Sequence, residues 1–241
     1  MSIGSTVQSH EPHHPNWQAN LRRPALLWSA LFVIPLIAVL AFAVLQPVKV
    51  RPRIGLAPGF VFTDQNGNQL TSEDLRGKFA LYNFTYTRCT APCPQSTATM
   101  RKVQEMASQI DTGGIPLELV TISFDPAHDT PETLAAYATQ VGADTSRWHF
   151  VTGTADRLKD VIGRGYSVYY APDANDGFTF DPAFVLVDGN GIMRAKYATA
   201  TPDLDAVIRD IKLVVDEVQN STGAGKLVYE AAHLFLCYPK Q

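Results

Sequence analysis

Cysteine is scarce in this chain, with three residues in 241, at positions 89, 93 and 237. That is too few for a fold built on disulfides. An excess of positive charge is also missing, because 20 Lys and Arg stand against 23 Asp and Glu. No Lys/Arg run is interleaved with aromatic residues, which excludes the kind of surface a nucleic acid requires. A zinc site needs four ligands, and no second Cys/His pair of suitable spacing accompanies Cys89 and Cys93. Internal repeats are absent as well. What remains is enough chain for one domain of ordinary size and a membrane anchor.

Charge is also lacking from 24–46, where Pro24-Ala25-Leu26-Leu27-Trp28 runs on to Ala43-Val44-Leu45. A helix of this length crosses a hydrocarbon core of ~30 Å, so the segment is expected to span the membrane, with Trp28 at the interface and Pro35 inside. A cleaved signal peptide is the competing reading. Ala41-Phe42-Ala43 has the form of a cleavage site, but the apolar run exceeds a normal signal core. Arg22 and Arg23 before the run and Lys49, Arg51 and Arg53 after it leave orientation undecided by charge. A thiol pair suits an oxidising face, so the expectation is a single-pass protein of the plasma (inner) membrane, in contact with its lipid. Its polar tail (1–23) is cytoplasmic and its main domain periplasmic or extracytoplasmic.

After a linker (47–58), hydrophobic periodicity alternates between strand and helix over 59–219. Two short strands are expected around Asn66-Gly67 and a capped turn at 71–75. Strands follow at 79–87 and 115–124, with a helix from Pro94 to Ile110 between them. A further helix opens at Asp129-Thr130-Pro131, then a strand at 148–151, a helix at 155–162, a hairpin of 183–187 with 192–197, and an amphipathic helix from 203 to 218. This alternation implies an α/β fold with a mixed central sheet covered on both faces. An apolar extension (220–241), too short to span a bilayer, carries His233 and Cys237 four residues apart.

The chemistry concentrates at Cys89-Thr90-Ala91-Pro92-Cys93-Pro94, directly after the strand expected at 79–87. Pro92 keeps helix from starting earlier and Pro94 suits a first helical position. Cys93 therefore falls at a helix N-terminus, where unpaired N–H groups and the helix dipole stabilise a thiolate. At this spacing the two sulfurs can form a disulfide or hold a soft ion such as Cu(I). A buried structural pair is the bland alternative.

The ordered motifs Phe62-x-Asp64-x-x-Gly67, Asp74-Leu75-Arg76-Gly77-Lys78, Asn83-Phe84-x-Tyr86-Thr87-x-Cys89-x-x-x-Cys93-Pro94, Ser123-Phe124-Asp125-Pro126-x-x-Asp129-Thr130-Pro131 and Phe150-x-Thr152-Gly153 resemble the Sco/SenC family. The resemblance implies a membrane-anchored thioredoxin-like fold serving copper-site assembly in respiratory oxidases. It also implies a cysteine pair that binds copper with a later histidine, or cycles between dithiol and disulfide. The histidine's place, counted back from Gly191, is held here by Phe180. Pro182 corresponds to the cis proline of thioredoxins and is expected to be cis, beside the redox pair Cys89 and Cys93.

His128, on the loop after a central strand, is the candidate third metal ligand beside Cys89 and Cys93. A solvated loop histidine is its ordinary role, and Asp129 reads as a helix cap. Tyr166, Tyr169, Tyr170, Phe178 and Phe180 form either a docking surface or loop packing. Two functions follow: a Sco/SenC-like factor handling thiol/disulfide or Cu(I) chemistry in assembly of an electron-transfer complex, or a non-catalytic structural subunit of such a complex. Either way the expected partners are integral membrane subunits of the respiratory chain.

Overall fold

The computed structural model describes residues 17–45, 48–107 and 109–235. They fall into two compact units, Met1–Pro47 and Val48–Gln241. In the first, Trp17–Leu45 forms one continuous helix, α1. Trp28, Phe32, Ile34, Ile37, Leu40 and Val44 are all exposed on it. Among the described residues no helix is long and apolar enough to cross a membrane.

The second unit is built on a sheet. Its strands are β1 (Gly55–Leu56), β2 (Val61–Asp64), β3 (Gln69–Thr71), β4 (Phe79–Thr85), β5 (Leu117–Ser123) and β6 (Trp148–Thr152). β7 (Tyr170–Pro172) and β8 (Phe178–Phe180) pair separately as a hairpin, and β9 (Phe184–Val187) and β10 (Ile192–Tyr197) complete the sheet. The order among the described residues is β1-β10-β9-β4-β5-β6-β2-β3. β4, β5 and β6 run parallel, while β9 joins β4 antiparallel. Parallel pairing needs crossovers, and helices α2 (Cys93–Ala107) and α3 (Pro131–Gln140) supply them.

All seven residues of β4 and all seven of β5 are buried, the mark of strands covered on both faces. Along β4, Ala80, Tyr82 and Phe84 enter one core cluster while Phe79 and Leu81 enter the other, as the two-residue strand period requires. The second cluster takes Met100 and Val103 from α2, Leu134 and Ala138 from α3, and Val207, Ile211 and Val214 from helix α5 (Leu204–Asn220). The first takes Cys93, Phe124, Tyr166 and Tyr170. This α/β sheet flanked by helices agrees with the sequence pattern.

Several elements depart from expectation. The segment read as linker contributes β1 to the sheet edge and buries Val50 and Arg51. The single helix expected at 155–162 begins as α4 (Ala155–Leu158) and widens into a π-helical stretch, Lys159–Gly165. The aromatic loop region contains the β7–β8 hairpin, whose strands are too short to show periodicity. The apolar extension forms helix α6 (Ala224–Phe235). Tyr229 of α6 donates its hydroxyl hydrogen to the Asp216 carbonyl at 3.1 Å, and His233 Nε2 lies 2.8 Å from Glu217 Oε1. Cys237, four residues after His233, lies outside the described residues.

Candidate functional site

β4 ends at Thr85, and the chain turns through Tyr86–Pro92 into α2, whose first residue is Cys93. The sulfurs of Cys89 and Cys93 are joined by a disulfide, with Cα atoms 5.8 Å apart. Cys93 is 1 % exposed, packed in the core at the helix N-terminus, whereas Cys89 is half-buried at the surface. The pair is therefore asymmetric: incoming groups meet Cys89, and the α2 dipole favours electron density left on Cys93.

A buried carboxylate holds the loop. Asp129 is fully buried and accepts the Thr87 backbone N–H at 2.9 Å and the Thr87 hydroxyl at 2.5 Å. The Ser123 hydroxyl, at the end of β5, donates to the same carboxylate. The helix cap expected of Asp129 is made by Thr130 instead, whose side chain accepts from the Thr133 N–H. Charge-assisted bonds of this kind are about twice as strong as neutral ones, so Asp129 is a fastener between β5 and the cysteine loop.

Arg88, the neighbour of Cys89, makes a second tie. Its Nη2 lies 2.8 Å from Asp125 Oδ2 and its Nη1 3.0 Å from Asp176 Oδ2, on the turn of the β7–β8 hairpin. The hydrogen bond to Asp125 chiefly, and then that to Asp176, raises the Arg88 guanidinium above its ordinary value. His128 belongs to this cluster: its Nδ1 is 2.9 Å from Asp125 Oδ1 and 2.8 Å from Arg88 Nη2. Among the described residues no group of three or more His, Cys, Asp or Glu side chains is placed to hold a metal ion.

The place of the third ligand in the resemblance is filled by packing. Phe180 stands 5.1 Å from the Phe124 ring and 6.3 Å from the Tyr86 ring, centroid to centroid. Phe178 joins them at 5.2 Å from each. The aromatic region is thus largely packed against the core, with Tyr169 left exposed. Two sulfurs without an imidazole do not fit a three-ligand copper site. The cis X-Pro bond also moves: it lies at Ala91–Pro92, inside the cysteine loop, and not at Pro182 as expected.

Cys89 also lines a groove of about 320 Å³ between α2 and α3. Thr97 and Tyr137, in its wall, share a hydrogen bond of 2.8 Å between their hydroxyls. Sequence reading found the cysteines but not Arg88, Asp176, Thr87 or this groove. Pairs 42 and 88 residues apart leave no local pattern.

A sheet of this order with a Cys-x-x-x-Cys disulfide at the strand-to-helix junction defines a thioredoxin-like protein. A sequence model of the SCO1/SenC family matches residues 49–216, and the chain belongs to that family. It is 26 % identical over 156 residues to the SCO1 protein homolog of Bacillus subtilis, covering 64 % of this chain and 79 % of that one. A solved SCO1/SenC family lipoprotein from Bacillus anthracis superposes with a TM-score of 0.62 at 30 % identity, over 68 % of this chain and 97 % of that one. The copper-bound structure of ScoI from Bradyrhizobium japonicum gives 0.50 at 26 % identity, over 66 % and 98 %. Two yeast relatives are longer, and the shared stretch spans 53 % of one and 46 % of the other.

Proposed function

We propose that this protein is a membrane-tethered thiol–disulfide factor acting through Cys89 and Cys93 in the assembly of a respiratory electron-transfer complex. One observation carries the chemistry: a disulfide with one sulfur at the surface and the other buried at a helix N-terminus. In such a pair the outer sulfur exchanges and the inner one leaves or resolves. The respiratory setting rests on family membership. The tether rests on the uncharged run 24–46, which in sequence is long enough for a spanning helix. The main domain is placed on the extracytoplasmic face, where the pair can stay oxidised.

Copper is a second chemistry, supported by the copper-bound relative. Once reduced, the two thiolates supply a two-coordinate Cu(I) site. Anaerobic Cu(I) titration of the reduced chain against a Cys89→Ser, Cys93→Ser variant tests it. Equal weak binding by both removes copper from the function.

A fixed subunit without turnover is the rival reading, favoured by Leu227 and Leu234, which α6 leaves exposed. Pull-down in mild detergent separates the two. Recovery in substoichiometric amounts, lost on washing, supports an assembly factor. Stoichiometric retention with a respiratory complex overturns it.

A further inference from the structure

Cys89 packs against the core cluster that holds Phe124, Phe178 and Phe180, and it also lines the groove between α2 and α3. Its lining includes Thr87, Cys89, Thr97, Arg101, Tyr137 and Val141. Pro94 and Arg101, both in the wall, are about 10 Å apart along α2 at 1.5 Å per residue. An extended chain of three residues covers a similar length, roughly 10 Å.

Arg101 is the one charged side chain among the lining residues. Its partner, Glu105, stands outside the groove wall at 3.5 Å, and both side chains are more than half exposed. A pair of this kind contributes little and yields readily to a better-placed carboxylate. The hydroxyls of Thr97 and Tyr137 satisfy each other once and keep capacity for a further bond to a passing backbone. The groove thus presents a sulfur at one end, hydroxyls in the middle and a cation at the other.

We propose that this groove is the substrate site for an extended segment of a partner protein that carries a cysteine with an acidic residue two or three positions away. The proposal rests on the thiol–disulfide reading above. The partner thiolate attacks Cys89 Sγ, a bond forms between the two sulfurs, the Cys89–Cys93 bond breaks, and the electron pair leaves on Cys93 Sγ. A second thiol of the partner then attacks its own bridged sulfur and releases Cys89 as thiolate. Two electrons pass from the partner dithiol to the pair, and the partner leaves as a disulfide.

The test uses the full chain in detergent with Cys93→Ser and Cys237→Ser, so that Cys89 is its one thiol. Cysteine peptides activated as mixed disulfides with thionitrobenzoate are offered, one with Asp and one with Lys three residues from cysteine, beside a small neutral disulfide as reference. Cys89 attacks the peptide sulfur, and thionitrobenzoate leaves and is read by its absorbance. The Asp peptide is expected to react about tenfold faster than the Lys peptide at low salt. Arg101→Gln and Arg101→Glu are each expected to remove that preference. Ala98→Trp, which places bulk on an exposed lining position, should slow the Asp peptide about tenfold relative to the reference disulfide. Equal rates for the two peptides, a preference that survives both Arg101 substitutions, or an unchanged ratio in Ala98→Trp overturns the groove as the site. A Cys89 that fails to react even with the small disulfide overturns the thiol–disulfide reading itself.

Discussion

The Asp129 carboxylate grips Thr87 at both its backbone N–H, 2.9 Å away, and its hydroxyl, 2.5 Å away, across 42 residues of sequence. One residue past Thr87 lies Arg88, and then Cys89. A fully buried acid thereby sets where the cysteine loop leaves the sheet. Asp129→Ala strands the Thr87 N–H and the Ser123 hydroxyl, and a buried group without its partner costs about 1–3 kcal/mol. We expect a loss of about 3 kcal/mol in urea unfolding and faster reduction of the Cys89–Cys93 disulfide by a small dithiol. Unchanged reduction kinetics would separate Asp129 from the redox loop.

Arg88 ties the same loop to the β7–β8 hairpin through Asp176, but this pair is more exposed, with Asp176 at 79 %. Exposed ion pairs are worth about 0–1 kcal/mol. Asp176→Asn is expected to leave global stability within about 0.5 kcal/mol while amide exchange rises at Phe178–Phe180. A global loss well above that figure would show the tie to be structural for the whole domain.

Phe180 packs against Phe124 and Tyr86 where the family resemblance calls for an imidazole. In the reduced chain, Phe180→His is expected to add a third donor and to produce a Cu(II)–thiolate absorption band that the unmodified chain lacks. The exchange also removes part of the aromatic packing, worth about 0.5–1.5 kcal/mol per ring pair, so a lower unfolding midpoint accompanies the band. Absence of the band in a folded variant would mean that this position does not face the sulfurs.

Glu217 governs the acid side of stability. Burial raises its carboxyl, but hydrogen bonds and charge from Arg194 and then His233 outweigh that and hold it below its ordinary value of 4.5. A depressed carboxylate stabilises the fold above its ordinary value and loses that contribution as pH falls through the lower folded value. Denaturation should therefore be pH-independent in this respect above about pH 5 and steepen below it. Glu217→Gln should flatten that acid limb and weaken α6 docking. Arg194, 2 % exposed in its side chain, leaves Asp188 buried without its ion-pair partner when replaced by Met and leaves Glu217 to His233 and Arg53, at a cost of about 3–5 kcal/mol.

The sequence by itself determined the α/β alternation, the strand runs of β4 and β5, the helix start beside Pro94 and the cysteine pair. These follow from local causes: a two- or 3.6-residue hydrophobic period, proline's fixed geometry and the spacing of two thiols. The short strands β1, β7 and β8 escaped it because two or three residues show no period. Only the tertiary structure decided that the sulfurs are joined, that Asp129 fastens Thr87 in place of capping a helix, that Asp176 meets Arg88, and that Phe180 packs as a core aromatic. Apart from the sulfurs, four residues from each other, each of these joins residues far apart in the chain. The sheet order brings them together, and that order depends on how the whole chain buries its apolar faces.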